Sequence, residues 1–180
     1  MTASARPLRA VAWPSVQPVD GPGAAARAES IELALVAAYD ALLDLVGDEV
    51  RPILETNRAH HRDHARGFAD LAGDAATGDP DAALVESLAP QLDALGGQGA
   101  ALAFARELED RVAATHAHAI TVVDDRGVAQ DLASVLAVEA AHAASLRRLL
   151  GEGATEWFPD GAFEPTDPAR GFTPQVVPPG

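Results

Sequence analysis

Six residues of this 180-residue chain have types and spacings that suit metal ligation. Glu139 and His142 stand three apart, as do His61 and His64. Residues three apart on a helix share a face, so each pair can aim inward together. Glu32 lies among Ile31, Leu35 and Val36, and Glu109 beside Leu108 and Val112, so both carboxylates fall within apolar stripes. Three carboxylates in one apolar interior are costly without a counter-charge, or they take up protons. A metal ion supplies that counter-charge.

The elements that must position these residues are helices. Periodicity starts near Gly23 and runs to Val46, with Gly47 placed where a helix end favours a left-handed residue. Asp48 is suited to cap the next helix, which takes Pro52 in its first turn and ends at Ala72 before Gly73. A long connection from Asp74 to about Gly99 contains a short helix begun by Asp79-Pro80-Asp81, interrupted by Pro90 and stopped by Gly96-Gly97. A third long helix is expected from about Ala100 to Val123, a turn at Asp124–Gly127, and a fourth helix ending at Leu150 before Gly151. The two hairpins repeat at an offset of 77 or 78: Glu32 overlays Glu109, Tyr39 overlays His116, His61 overlays Glu139, and His64 overlays His142. At ~1.5 Å per residue all six candidate ligands fall at one level, roughly 20–25 Å along helices about 36 Å long.

Composition narrows the function. Forty residues are alanine, all thirteen basic residues are arginine, and against 27 acids the net charge is −14. A chain this acidic does not readily build the basic face that nucleic-acid binding needs. The absence of cysteine excludes disulfides, thiolate metal sites and cysteine nucleophiles. No apolar run is long enough to span a bilayer. Pro7, Arg9, Trp13 and Pro14 break any signal-peptide centre, so a cytoplasmic protein is expected. Three regions follow: an irregular arm over 1–22, a bundle over 23–151, and a tail over 152–180 that holds half of the aromatic residues. That much apolar surface points to a tail packed on its own bundle or on a partner subunit. A homodimer is the default assembly.

Two short-turned hairpins joined by one long crossover distinguish one class of four-helix bundle from simple up-down-up-down ones. With Glu32…Tyr39, His60-His61-Arg62-Asp63-His64-Ala65, Leu108-Glu109…His116 and Val138-Glu139-Ala140-Ala141-His142-Ala143, the chain resembles the ferritin-like superfamily. More narrowly it is similar to the ferritin-like domain proteins common in high-GC bacteria. The likeness covers roughly residues 28–151 and extends into Ala162–Pro168. It implies an all-α ferritin-like four-helix bundle whose metal ligands are Glu32, His64, Glu109, Glu139 and His142. The sixth position, a glutamate in active di-iron members, is His61 here. Three carboxylates leave two divalent ions with one uncompensated positive charge, and one bridge is missing. One ion with three carboxylates and up to three imidazoles is better balanced. An asymmetric two-metal site with His61 as a terminal ligand stays open, as does a bundle that kept the fold and lost the metal. Imidazole shifts the preference toward Zn, Fe, Cu or Ni.

The resemblance implies a metal-binding protein, with a non-haem iron oxidoreductase or ferroxidase using O2 or peroxide as its sharpest form. Iron is the first candidate, then manganese or zinc. The alternative is a metal-free bundle acting as a structural or partner-binding module, in which His61 and His64 are hydrogen-bonded interior histidines. No catalytic residue is assigned. Tyr39 and His116 are candidates to stand behind the ligands, although His116 also reads as a satisfied core histidine. His60 is expected to be solvated or to touch the ligands from outside, and His118, Glu107 and Asp110 to be solvated. Gly96-Gly97-Gln98-Gly99 lacks the strand and lysine of a phosphate loop, and no Gly-x-Ser-x-Gly elbow exists.

Overall fold

The computed structural model describes residues 18–153. Helix α1 spans Gly21–Leu43, α2 Arg51–Ala72, α3 Ala82–Asp93, α4 Gln98–Val122 and α5 Arg126–Leu150, with a 3-10 turn at Gly73–Ala75. Among the described residues there is no strand, only an isolated bridge between Val19 and Val123. The backbone N–H of Val19 donates to the Val122 carbonyl at 2.9 Å, placing the start of α1 beside the end of α4. At the other end, the Gly47 N–H donates to Gln98 Oε1 at 3.0 Å, joining the α1–α2 turn to the start of α4. α1 and α4 are therefore antiparallel, and the crossover between α2 and α4 must climb the bundle. The fold is the all-helical bundle with a crossover that the sequence implies.

Three contacts clamp that crossover onto α1. Glu29 accepts from the N–H groups of Thr77 and Gly78, both at 3.0 Å. The Asp81 N–H donates to the Ser30 carbonyl at 2.9 Å, and Arg27 pairs with Asp81. α3 then buries Leu84 and Leu88, which pack with Ala34 and Ala38 of α1. This cover buries Ala34 and Ala38, while Ala24, Ala25 and Ala28 are buried in a second cluster with Phe68, Val128 and Leu132, so α1 is buried on more than one face. Alanine at these positions lets neighbouring backbones approach closely.

Several boundaries differ from the sequence reading. Asp20 caps α1 by accepting from the Gly23 N–H at 2.9 Å, so the helix begins at Gly21, and Val19–Pro22 are ordered rather than part of an irregular arm. α1 stops at Leu43, and Gly47 does not take a left-handed conformation. The Gly47 carbonyl instead accepts from Val50 and Arg51, which starts α2 without any side-chain cap, so Asp48 does not cap it. α3 passes through Pro90 uninterrupted. Pro90 and Glu86, the residue whose carbonyl loses its partner, both stand on the exposed side, where water replaces the missing bond. Gly97 holds φ +87° before α4, and Gly151 holds φ +76° after α5; both conformations favour glycine. The expectations for residues 1–17 and for the tail beyond Gly153 lie outside the described residues.

The buried apolar residues form two clusters. One centres on Leu35, Leu42, Leu54, Leu108 and Leu146 near the α1–α2 turn. The other gathers Ala25, Phe68, Val128 and Leu132 at the opposite end. Between them lies a layer of acids and histidines.

Candidate metal centre

Glu32 from α1, His61 and His64 from α2, Glu109 from α4, and Glu139 and His142 from α5 all meet in that layer. The structure thus brings together every one of the six candidate ligands. Glu32, His61, Glu109 and Glu139 have no solvent exposure; His142 is buried, and only the His64 side chain reaches 13 %.

The donor atoms form two overlapping nests, each with all its atoms within 4.8 Å of one another. The first comprises Glu32, His61, His64 and Glu139. In it, His61 Nδ1 lies 2.7 Å from Glu32 Oε2 and 3.7 Å from Glu139 Oε1. His64 Nδ1 lies 2.9 Å from Glu139 Oε1 and 3.6 Å from Glu32 Oε2. The second comprises His61, Glu109, Glu139 and His142. Here His61 Nε2 is 3.1 Å from Glu109 Oε1, and His142 Nδ1 is 3.3 Å from Glu109 Oε2 and 3.2 Å from Glu139 Oε2.

Burial and mutual charge work against each other across the layer. Burial pushes the Glu32 carboxyl up, but hydrogen bonds with His116 and His61 and the nearby His64 ring together hold it well below the ordinary range. Glu109 is likewise raised by burial and then driven lower overall, first by the charge of His61. Burial and the hydrogen bond with Glu109 raise Glu139, so this carboxyl retains its proton more readily. Burial disfavours charge on His61, yet Glu109, Glu32 and Glu139 raise it well above its usual value. His64 follows the same logic: burial lowers it, and Glu139 and Glu32 outweigh that, to about 9. His142 is also raised by Glu109 and Glu139 over the opposing effect of burial. Without metal, the acids thus favour charge on His61, His64 and His142, and the imidazoles in turn favour charge on Glu32 and Glu109.

Behind the ligands the repeat is reciprocal. The Tyr39 hydroxyl on α1 donates to Glu109 Oε1 on α4, and His116 Nε2 on α4 lies 2.7 Å from Glu32 Oε1 on α1. Both sequence-level views of His116 therefore hold: it is a buried core residue, and it touches a candidate ligand. His60 is half-buried, with its Nδ1 2.9 Å from His142 Nε2 and its ring stacked on His142 at 5.1 Å. His118 is half-buried rather than exposed. Asp110, expected to be solvated, accepts two hydrogen bonds from Arg147, at 2.7 and 2.8 Å.

Sequence reasoning missed Asn57 and Glu29, both buried at 3 % exposure. Asn57 Nδ2 donates to the Tyr39 hydroxyl at 3.3 Å. Its signal was available, because Asn57 lies four residues before His61 on the same face of α2. Glu29, three residues before Glu32, serves the crossover rather than the metal layer.

Residues 24–152 match the ferritin-like domain family. The chain belongs to that family. No curated protein and no solved structure matches the chain. The ferritin-like layer passes a direct test of fit to a metal. Glu139 Oε1 and His64 Nδ1 are buried, and neither has a hydrogen-bond partner. They lie 2.9 Å apart in an ion-pair contact without hydrogen-bond geometry, and both belong to the first nest. Such orphaned donor and acceptor atoms are costly unless something else satisfies them. The carboxylate and imidazole donor set suits a transition metal. Among the described residues, no helix is long and apolar enough to cross a membrane.

Proposed function

We propose that this ferritin-like protein holds iron in its mid-bundle layer and acts as a non-haem iron oxidoreductase of the ferroxidase kind. The observation that carries the reading is the pair of orphaned, buried atoms, Glu139 Oε1 and His64 Nδ1. The residues that would hold the metal are Glu32, His61, His64, Glu109, Glu139 and His142. Bound iron would supply electron exchange between Fe(II) and Fe(III), with O2 or peroxide as acceptor.

The chain's own residues then have separate tasks. The Tyr39 hydroxyl, itself held by Asn57, fixes the orientation of Glu109. His116 does the same for Glu32. The two apolar clusters exclude water from above and below. His142 and His60 form a hydrogen-bonded pair that leads from the buried layer to a half-buried position on α2. Aerobic oxidation of Fe(II), followed by Fe(III) absorbance and O2 uptake, tests the activity. Oxidation above the protein-free rate, lost in Glu109→Gln, is the expected result; equal rates with and without protein contradict it.

A second reading has its own support. The imidazoles and carboxylates pair with one another, so the layer has internal charge balance without metal. In that case the chain is a metal-free structural or partner-binding module, and it takes up no metal under any loading condition.

A further inference from the structure

We infer that the layer is built for two divalent ions and that His61 bridges them, one ion on each ring nitrogen. The inference rests on the metal-binding reading proposed above and specifies its stoichiometry.

The two nests share two residues, His61 and Glu139, and share them in the same manner. Glu139 turns Oε1 to the first nest and Oε2 to the second. His61 turns Nδ1 to Glu32 and Glu139 Oε1, and Nε2 to Glu109. No single-ion arrangement uses both nitrogens, because their lone pairs diverge from opposite sides of the ring. The internal repeat makes the pattern consistent: His61 and Glu139 are the two positions that superimpose between hairpins. Each nest is then completed by one glutamate and one histidine, Glu32 and His64 in the first and Glu109 and His142 in the second, and the repeat superimposes Glu32 on Glu109 and His64 on His142. The unsatisfied Glu139 Oε1 and His64 Nδ1 mark the first nest, and His142 Nδ1 facing two carboxylates marks the second.

The charge count closes on the same answer. Three carboxylates alone leave two divalent ions one negative charge short. An imidazole bound through both nitrogens has given up its ring proton and carries that fourth charge, so His61 supplies both the missing charge and the missing bridge. The imidazolium of the metal-free layer loses one ring proton to solvent as the first ion binds and the other as the second ion binds, as metal binding commonly releases protons. No electron transfer or co-reactant is required.

Cobalt(II) is a suitable probe. A histidine ligated through one nitrogen retains a ring N–H, whose proton resonance is strongly shifted and disappears in D2O; a bridging histidine has none. Metal content and proton spectra of the full chain titrated with Co(II) should show two ions per chain and two such exchangeable signals, from His64 and His142. In His61→Gln, with helix content verified by circular dichroism, capacity should fall to one ion. Saturation of the wild type at one ion, a third exchangeable ring signal, or two ions retained in His61→Gln overturns the bridge while leaving metal binding intact. A chain that takes up no Co(II) overturns both readings.

Discussion

Tyr39 and His116 occupy equivalent positions of the repeat, and each reaches across to the glutamate of the other hairpin. Removing the Tyr39 hydroxyl leaves every ligand in place but frees the Glu109 carboxylate. Tyr39→Phe should therefore weaken metal binding about 10-fold or more without changing capacity, as calorimetric titration would measure. The histidines give a pH prediction with a definite sign. His64 titrates at about 9 in the fold against an ordinary 6.5, so its stabilising contribution is complete below pH 6.5 and fades as pH rises through 9. Melting of the metal-free protein should thus shift to lower temperature between pH 6.5 and 9. Because metal must displace those protons, the rise in melting temperature caused by Mn(II) should grow over the same window. A melting temperature independent of pH there contradicts the assignment. The six ligand positions were legible because the repeat marks each of them twice. Asn57 carries a weaker mark: its cue is the four-residue spacing to His61, and the repeat does not duplicate it.

At the scale of elements, the crossover depends on Glu29, whose carboxylate holds two backbone N–H groups of the loop after α2. Glu29→Ala leaves those groups without their partner and should cost about 1–3 kcal/mol in denaturant unfolding, with full metal capacity retained. Loss of metal would instead show that Glu29 belongs to the layer. The other end of the bundle is closed by a close approach between Gly21 and Asp125, where an added Cβ would come within 2.5 Å of the Asp125 Cβ. Asp125 also caps α5 by accepting from the Val128 N–H at 3.0 Å. Gly21→Ala should displace that cap and lower stability by about 1–2 kcal/mol, readable as a lower unfolding midpoint. Helix positions were clear from periodicity and glycine stops, notably Gly73 and Gly151. The α1–α2 turn was harder, because Gly47 starts α2 through its backbone carbonyl, a role that side-chain signals such as Asp48 do not reveal. Pro90 was over-read for a similar reason: a proline breaks a helix by removing a bond, and an exposed helix face has water to replace it.

Across the whole molecule, two apolar clusters are joined through a polar layer that every long helix enters. The antiparallel hairpins and crossover were readable from turn lengths, and the ferritin-like family was readable from the ligand pattern. What the sequence did not disclose was the sharing of His61 and Glu139 between two nests, because spacing places residues at a level but does not show which ring nitrogen faces which carboxylate. The arrangement turns an apparent defect of the pattern, a histidine where a glutamate is usual, into the residue at the centre of the layer. Every role proposed for these residues depends on the layer binding a transition metal. Mass spectrometric metal content of the purified chain, after reloading with Fe(II), Mn(II) or Zn(II), tests it most directly. At least one tightly held ion per chain is expected, lost in His142→Ala and Glu139→Ala; sub-stoichiometric metal under every loading condition would rule out a metal centre.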